Sequence, residues 1–124
     1  MLYFVKYDMI FAMTDLCKND NPDQIKCALA IIGDRYSALL IRLMHDGPAR
    51  FKDFEEGIEG ISPRTLSQRL SMLEENGIIE KNTCPDSPGR NQYELTEAGN
   101  DLDKVLHSMA EWSKKHAQTA EATA

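Results

Sequence analysis

Five residues on one short segment, Arg64, Thr65, Ser67, Gln68 and Arg69, have the types and spacing to read another polar molecule by hydrogen bonding. A glutamine amide pairs bidentately with adenine, an arginine with guanine or a phosphate, and hydroxyls with either. Ser62 is a favourable N-cap directly before them, Pro63 suits the first helical position, and Asn76-Gly77 supplies a stop, so the segment predicts a capped helix over about 62–76. At 100° per residue Leu66, Leu70 and Leu73 share one face, while Arg64, Gln68, Ser71 and Glu75 point the other way. The N-terminus of such a helix adds a partial positive charge suited to a phosphate. The same residues also suit a helix face that is merely solvated, so the surrounding elements must decide.

Bond-making chemistry finds no support. His45, His107 and His116 are scattered without metal-ligand spacing. Glu55-Glu56 and Glu74-Glu75 are helix neighbours that point apart, unlike a catalytic pair. No catalytic residue, metal site or cofactor is expected. Three cysteines, at 17, 27 and 84, form no CxxC pair and fit the free thiols of a cytoplasmic protein. Cys27 reads as a buried structural thiol in mid-helix, and Cys84 as exposed.

A chain of 124 residues with 42% apolar side chains is expected to bury one core. Ile25, Leu29 and Ile32 mark one helix ending at Gly33. A second, capped by Asp34, is expected to bury Leu39, Leu40, Leu43 and Met44, and a short third spans Arg50 to Ile58 with Phe51 and Phe54 inward. After the 62–76 helix the pattern becomes a hairpin, with strands over 78–83 and 90–95 around a proline-bounded turn. Thr96 then caps a long helix with apolar residues at Leu102, Val105, Leu106, Met109 and Trp112.

Helix, tight turn, capped helix, hairpin is the order of a winged helix-turn-helix, a mainly α fold with a small β-hairpin. That order turns the donors on 62–76 toward double-stranded DNA, with the helix in the major groove and the wing, 78–95, on the backbone or minor groove. Arg50 and Lys52, with Lys81 and Arg90 on the wing, would flank it, and Ser62 completes the expected DNA-binding set. Two facts oppose this. The formal net charge is −6, and Glu55, Glu56, Glu59, Glu74, Glu75 and Glu80 lie among the basic residues. A winged-helix module that binds protein instead is therefore the alternative, although apolar residues would be expected on its exposed face.

The chain also resembles the HxlR-type regulators, a branch of winged-helix proteins. The likeness runs from about Ala28 to Trp112. It rests on Ile32-Gly33 before Arg35-Tyr36 and Leu39-Leu40-Ile41-Arg42, on Gly47-Pro48-Ala49-Arg50-Phe51, and on Gly60-Ile61-Ser62 leading into Leu66-Ser67-Gln68-Arg69-Leu70. It continues through Gly77-Ile78-Ile79-Glu80-Lys81 to Tyr93-Glu94-Leu95-Thr96-Glu97-Ala98-Gly99. The resemblance implies a homodimer joined through terminal helices on a roughly palindromic operator. The stripe Leu102, Val105, Leu106, Met109 and Trp112 is the expected dimer contact, because a small domain cannot easily cover it alone. Some relatives sense oxidants with a cysteine before the first core helix, usually followed by proline. Here that place reads Asn21-Pro22-Asp23, a departure that leaves Cys17 and Cys84 as redox candidates. The resemblance does not say which small molecule, if any, acts as effector.

The domain is expected over 21–116, with a disordered tail over 117–124 that lacks bulky apolar residues. For residues 1–20 two readings stay open. One is a true start further along, at Met9 or Met13; the other is an extra amphipathic helix carrying Leu2, Val5, Met9, Ile10, Met13 and Leu16. Lys6, Asp8 and Asp15 interrupt that stretch, so neither a membrane span nor a targeting signal is expected.

Overall fold

A computed structural model describes residues 24–123; the N-terminal stretch with Cys17 and the expected extra helix lie outside the described residues. The elements run α1 (Gln24–Ile32), α2 (Ser37–Leu43), β1 (Ala49–Arg50), α3 (Phe51–Gly57), α4 (Pro63–Glu75), β2 (Ile79–Thr83), β3 (Asn91–Leu95) and α5 (Glu97–Thr123). The strands form one antiparallel sheet in the order β1-β3-β2. The fold is the expected winged helix-turn-helix, with one addition. β1 pairs Ala49 with Tyr93 and Arg50 with Gln92, and a two-residue strand has no periodicity by which to be read.

Local chemistry accounts for the helix ends. Asp34 Oδ2 accepts from the amides of Tyr36 and Ser37, both at 3.0 Å, closing the turn that starts α2 as expected. Ser62 Oγ accepts from the Thr65 amide at 3.1 Å and caps α4. At the far end of α4 the Ile78 amide reaches the Leu73 carbonyl and the Gly77 amide that of Glu74. This crossed pair needs a left-handed residue, and Gly77, at φ +73°, supplies it. Thr96 caps α5 by accepting from the Gly99 amide at 3.1 Å.

The core joins Leu40, Ile41 and Met44 of the α2 segment to Phe54, Ile58, Leu66, Leu70, Leu73, Ile78, Ile79 and Leu106. Phe54 meets Tyr93 edge-to-face at 6.0 Å between ring centres, fixing the start of the helix-turn-helix to the sheet. α5 is brought equally close. A Cβ on Gly99 would lie 2.1 Å from the Ile78 carbonyl oxygen, so only glycine permits this approach.

Several expectations about faces are corrected. Leu39 and Leu43 are exposed, because α2 turns Leu40, Ile41 and Met44 inward instead. Ile25 and Leu29 are exposed as well, and α1 buries Cys27. On α5 the expected stripe divides. Leu106 is buried in the domain's own core and Leu102 packs against it, whereas Val105, Met109 and Trp112 stay exposed. At 100° per residue the two groups lie roughly a quarter turn apart. The helix also continues past His116, where fraying is expected, to Thr123; alanine, glutamine and glutamate favour helix without needing a core.

Candidate nucleic-acid interface

The inward face of α4 is sealed by Leu66, Leu70 and Leu73, and this leaves Arg64, Ser67, Gln68 and Ser71 exposed. Ser62 and Thr65 have a structural duty first. Ser62 Oγ donates to Thr65 Oγ1 at 2.9 Å while accepting the Thr65 amide. The Thr65 hydroxyl keeps its own hydrogen for a further acceptor.

Arg69, expected among the DNA contacts, is turned elsewhere. Its Nε lies 3.4 Å from Asp34 Oδ2, and the side chain is only 38% exposed. The position explains it: at 100° per residue Arg69 falls beside Leu66 and Leu73, on the edge of the buried face of α4 that meets the α1–α2 turn. Burial pushes the Asp34 carboxyl up, but hydrogen bonds from Ser37 and Tyr36, with the Arg69 charge, outweigh it and hold the group below the usual carboxylate range.

On the wing, antiparallel register decides which charges share a face. Lys81 pairs with Tyr93, whereas Glu80 pairs with Glu94. Side chains alternate along a strand, so Lys81 lies on one face and the two glutamates on the other. Asn82 donates from Nδ2 to Glu94 Oε1 on the acidic face. Sequence proximity of Glu80 to Lys81 is therefore not proximity in space.

Arg50, Lys52 and Arg90 are brought together. They line an open cleft of about 430 Å³ between the start of α3 and the wing, with Phe51, Tyr93 and Asn91 between them. Glu55 lines it too, and Glu56 lies 4.0 Å from Lys52 across one helical turn, so two acids temper the positive charge. The turn holding Arg90 is braced by backbone bonds from Cys84 to Arg90 at 2.7 Å and from Arg90 to Ser87 at 3.0 Å. Lys81 does not line this cleft.

The cysteines differ from expectation. Cys27 is buried and disulfide-bonded, which corrects its reading as a free structural thiol; three cysteines allow one pair and leave one over. Cys84 is the free thiol among the described residues, and it is half-buried rather than exposed. Among the described residues no group of His, Cys, Asp and Glu could hold a metal ion.

Sequence reasoning missed one polar cluster. Asp103 on α5 is buried, and both its oxygens are taken: Arg42 Nη1 donates to Oδ1 at 2.7 Å and His45 Nδ1 to Oδ2 at 2.5 Å. Burial pushes the Asp103 carboxyl up, but the bonds from His45 and Arg42 and their charge prevail, leaving it below the usual range. The only signal in the sequence is a carboxylate between Leu102 and Leu106 on the side of α5 that faces the core.

Comparison with known proteins agrees with this geometry. The sequence pattern of the HxlR-like helix-turn-helix family matches residues 31–121. The HTH-type transcriptional regulator YodB of Bacillus subtilis (strain 168) is 36% identical over 95 residues, covering 77% of this chain and 85% of YodB. The solved reduced form of YodB superposes with a TM-score of 0.67 at 36% identity, over 78% of this chain and 94% of that one. The redox regulator HypR in its reduced form gives 0.73 at 29% identity, over 80% and 98%. With the family pattern spanning the helix-turn-helix, the wing and most of the last helix, the chain belongs to the HxlR-like helix-turn-helix family and is a DNA-binding transcriptional regulator.

Proposed function

We propose that this regulator acts in the cytoplasm as a homodimer on a roughly palindromic operator, without catalytic activity. The observation that carries the reading is the capped α4, whose exposed face presents Arg64, Ser67 and Gln68; the cleft of Arg50, Lys52 and Arg90 adds positive charge at the start of α3 and the wing. Gln68 reads a base, and Arg64 reads guanine or clamps a phosphate. Arg50, Lys52, Lys81 and Arg90 neutralise backbone phosphates, with Thr65 and Ser67 as further donors. Arg69 supports α4 from behind. The dimer seam uses Val105, Met109 and Trp112, an apolar strip that with Ser108 and Ser113 lines an open groove of about 400 Å³. No helix among the described residues is long and apolar enough to cross a membrane, which suits this setting.

A gel-shift titration against DNA upstream of the protein's own gene, with competitor DNA and varied salt, tests the reading. A saturable, salt-sensitive shift that resists competitor is expected. No shift at low salt from folded dimer would give precedence to a protein-interaction module.

A thiol-based response is the second reading. It is favoured by the disulfide at Cys27 on α1 and by relatives solved as a redox regulator and in diamide-treated and quinone-bound forms. Operator affinity that is the same after dithiothreitol and after diamide would rule it out.

A further inference from the structure

We infer that Asp103 is a positioning residue for DNA binding: with Arg42 and His45 it fixes the tilt of α5 against the helix-turn-helix, and so sets the separation of half-sites the dimer accepts. The inference rests on the dimer reading above.

α5 is held at its N-terminal end and again at Asp103. Its N-terminal end is tied down by Thr96, whose amide donates to the Ile78 carbonyl at 3.0 Å, and by the tight approach of Gly99 to the same group. The next polar anchor is Asp103, gripped from α2 by Arg42 and from the following turn by His45. Leu106 is the last buried residue among the described side chains, and every side chain from His107 to Ala117 is exposed. The remainder of α5 is a lever that projects from the body and carries Met109 and Trp112.

Magnitudes show why the anchor matters. From Leu106 to Trp112, the far end of the apolar strip, a helix rising 1.5 Å per residue extends roughly 9 Å, so a tilt of about 10° at Leu106 moves Trp112 by about 1.6 Å. One base pair of DNA rises about 3.4 Å. In a two-fold dimer the shift occurs in both protomers, and a small change at Asp103 becomes a misfit approaching one base pair.

The chemistry suits the task. A leucine at this site would bury as much surface, and apolar replacements of buried ion pairs are often neutral for stability. A carboxylate with both oxygens occupied adds direction, because each bond is defined by distance and angle. Arg42 belongs to α2, which packs on α4, so the link runs from the dimer helix to the recognition helix through one buried group.

The test uses full-length protein and synthetic palindromic duplexes built from the half-site that the wild-type protein selects from random-sequence DNA. Half-site separation is varied by one and two base pairs. The wild type is expected to prefer one separation by about tenfold, whereas Asp103→Asn binds all separations within about threefold and an isolated half-site within about twofold of wild type. His45→Gln, which removes one arm and leaves the Arg42 pair, guards against an Asp103 variant that fails to fold and is expected to broaden the preference part-way. Unchanged preference in the folded variants overturns the proposal, as does parallel loss of half-site and palindrome binding, which would mark Asp103 as structural only. A wild type that binds one half-site as tightly as the palindrome removes the dimer reading and the proposal with it.

Discussion

Arg69 Nε lies 3.4 Å from Asp34 Oδ2, so an arginine nearly two turns along α4 faces the α1–α2 turn and is half-buried there. That carboxylate also closes the start of α2 through two amides and the Ser37 hydroxyl. One group therefore ties the start of α2 to the second helix of the helix-turn-helix, α4.

Arg69→Gln is expected to lower stability by about 1 kcal/mol, since the pair is only partly screened from water. The slope of log affinity against log salt is expected to stay unchanged. Denaturant melts and a salt titration measure both effects, and a slope that falls by about one unit would return Arg69 to the phosphate contacts.

Gln68→Ala and Lys81→Ala are expected to fail differently. The first loses about 1–3 kcal/mol on the cognate site alone, because base reading carries specificity; the second weakens all sequences alike and flattens the salt slope by about one unit. Fluorescence anisotropy on cognate and random duplexes separates them. Equal losses on random DNA for Gln68→Ala would remove it as a base reader.

The divided face of α5 predicts two different outcomes for alanine variants along one helix. Trp112→Ala is expected to leave the fold intact and weaken self-association by about 2 kcal/mol, as a central apolar anchor does. Leu106→Ala, in the core, is expected to cost about 2–5 kcal/mol of folding stability. Sedimentation and thermal melts distinguish them; normal self-association of Trp112→Ala would place the seam elsewhere.

Acid should destabilise the fold through Asp34 and Asp103. Both carboxyls titrate below their ordinary value of 3.8 in the folded chain. The unfolded state therefore takes up protons first, and the stabilisation, complete above that value, is lost as pH falls through the lowered ones. Melting temperature measured from pH 7 down to 2 should drop in that lower window, and Asp103→Asn should show a shallower drop. Parallel curves for the two proteins would remove Asp103 as a source.

What was legible in the sequence was what depends on near neighbours. Ser62, Pro63 and Gly77 define α4 because a cap, a first-turn proline and a left-handed stop act within one helical turn. Leu66, Leu70 and Leu73 point inward because 3.6-residue periodicity leaves them no other common side. The hairpin, the Thr96 cap and the exposed Arg64 and Gln68 follow in the same way, and together they specify a winged helix-turn-helix with a polar reading face.

Only the tertiary structure decided which of several possible neighbours each remaining side chain meets. Arg42 and His45 reach Asp103 across 61 and 58 residues of chain, and Arg69 turns back to Asp34. The pairing of Ala49 with Tyr93 created a third strand, and the register of β2 with β3 put Lys81 and Glu80 on opposite faces. The approach of α5 to α2 chose Leu102 and Leu106 for the core and left Val105, Met109 and Trp112 outside. Apolar periodicity states that a helix has a sticky side, but how wide that side is and where the body ends along it depend on the packing of distant elements.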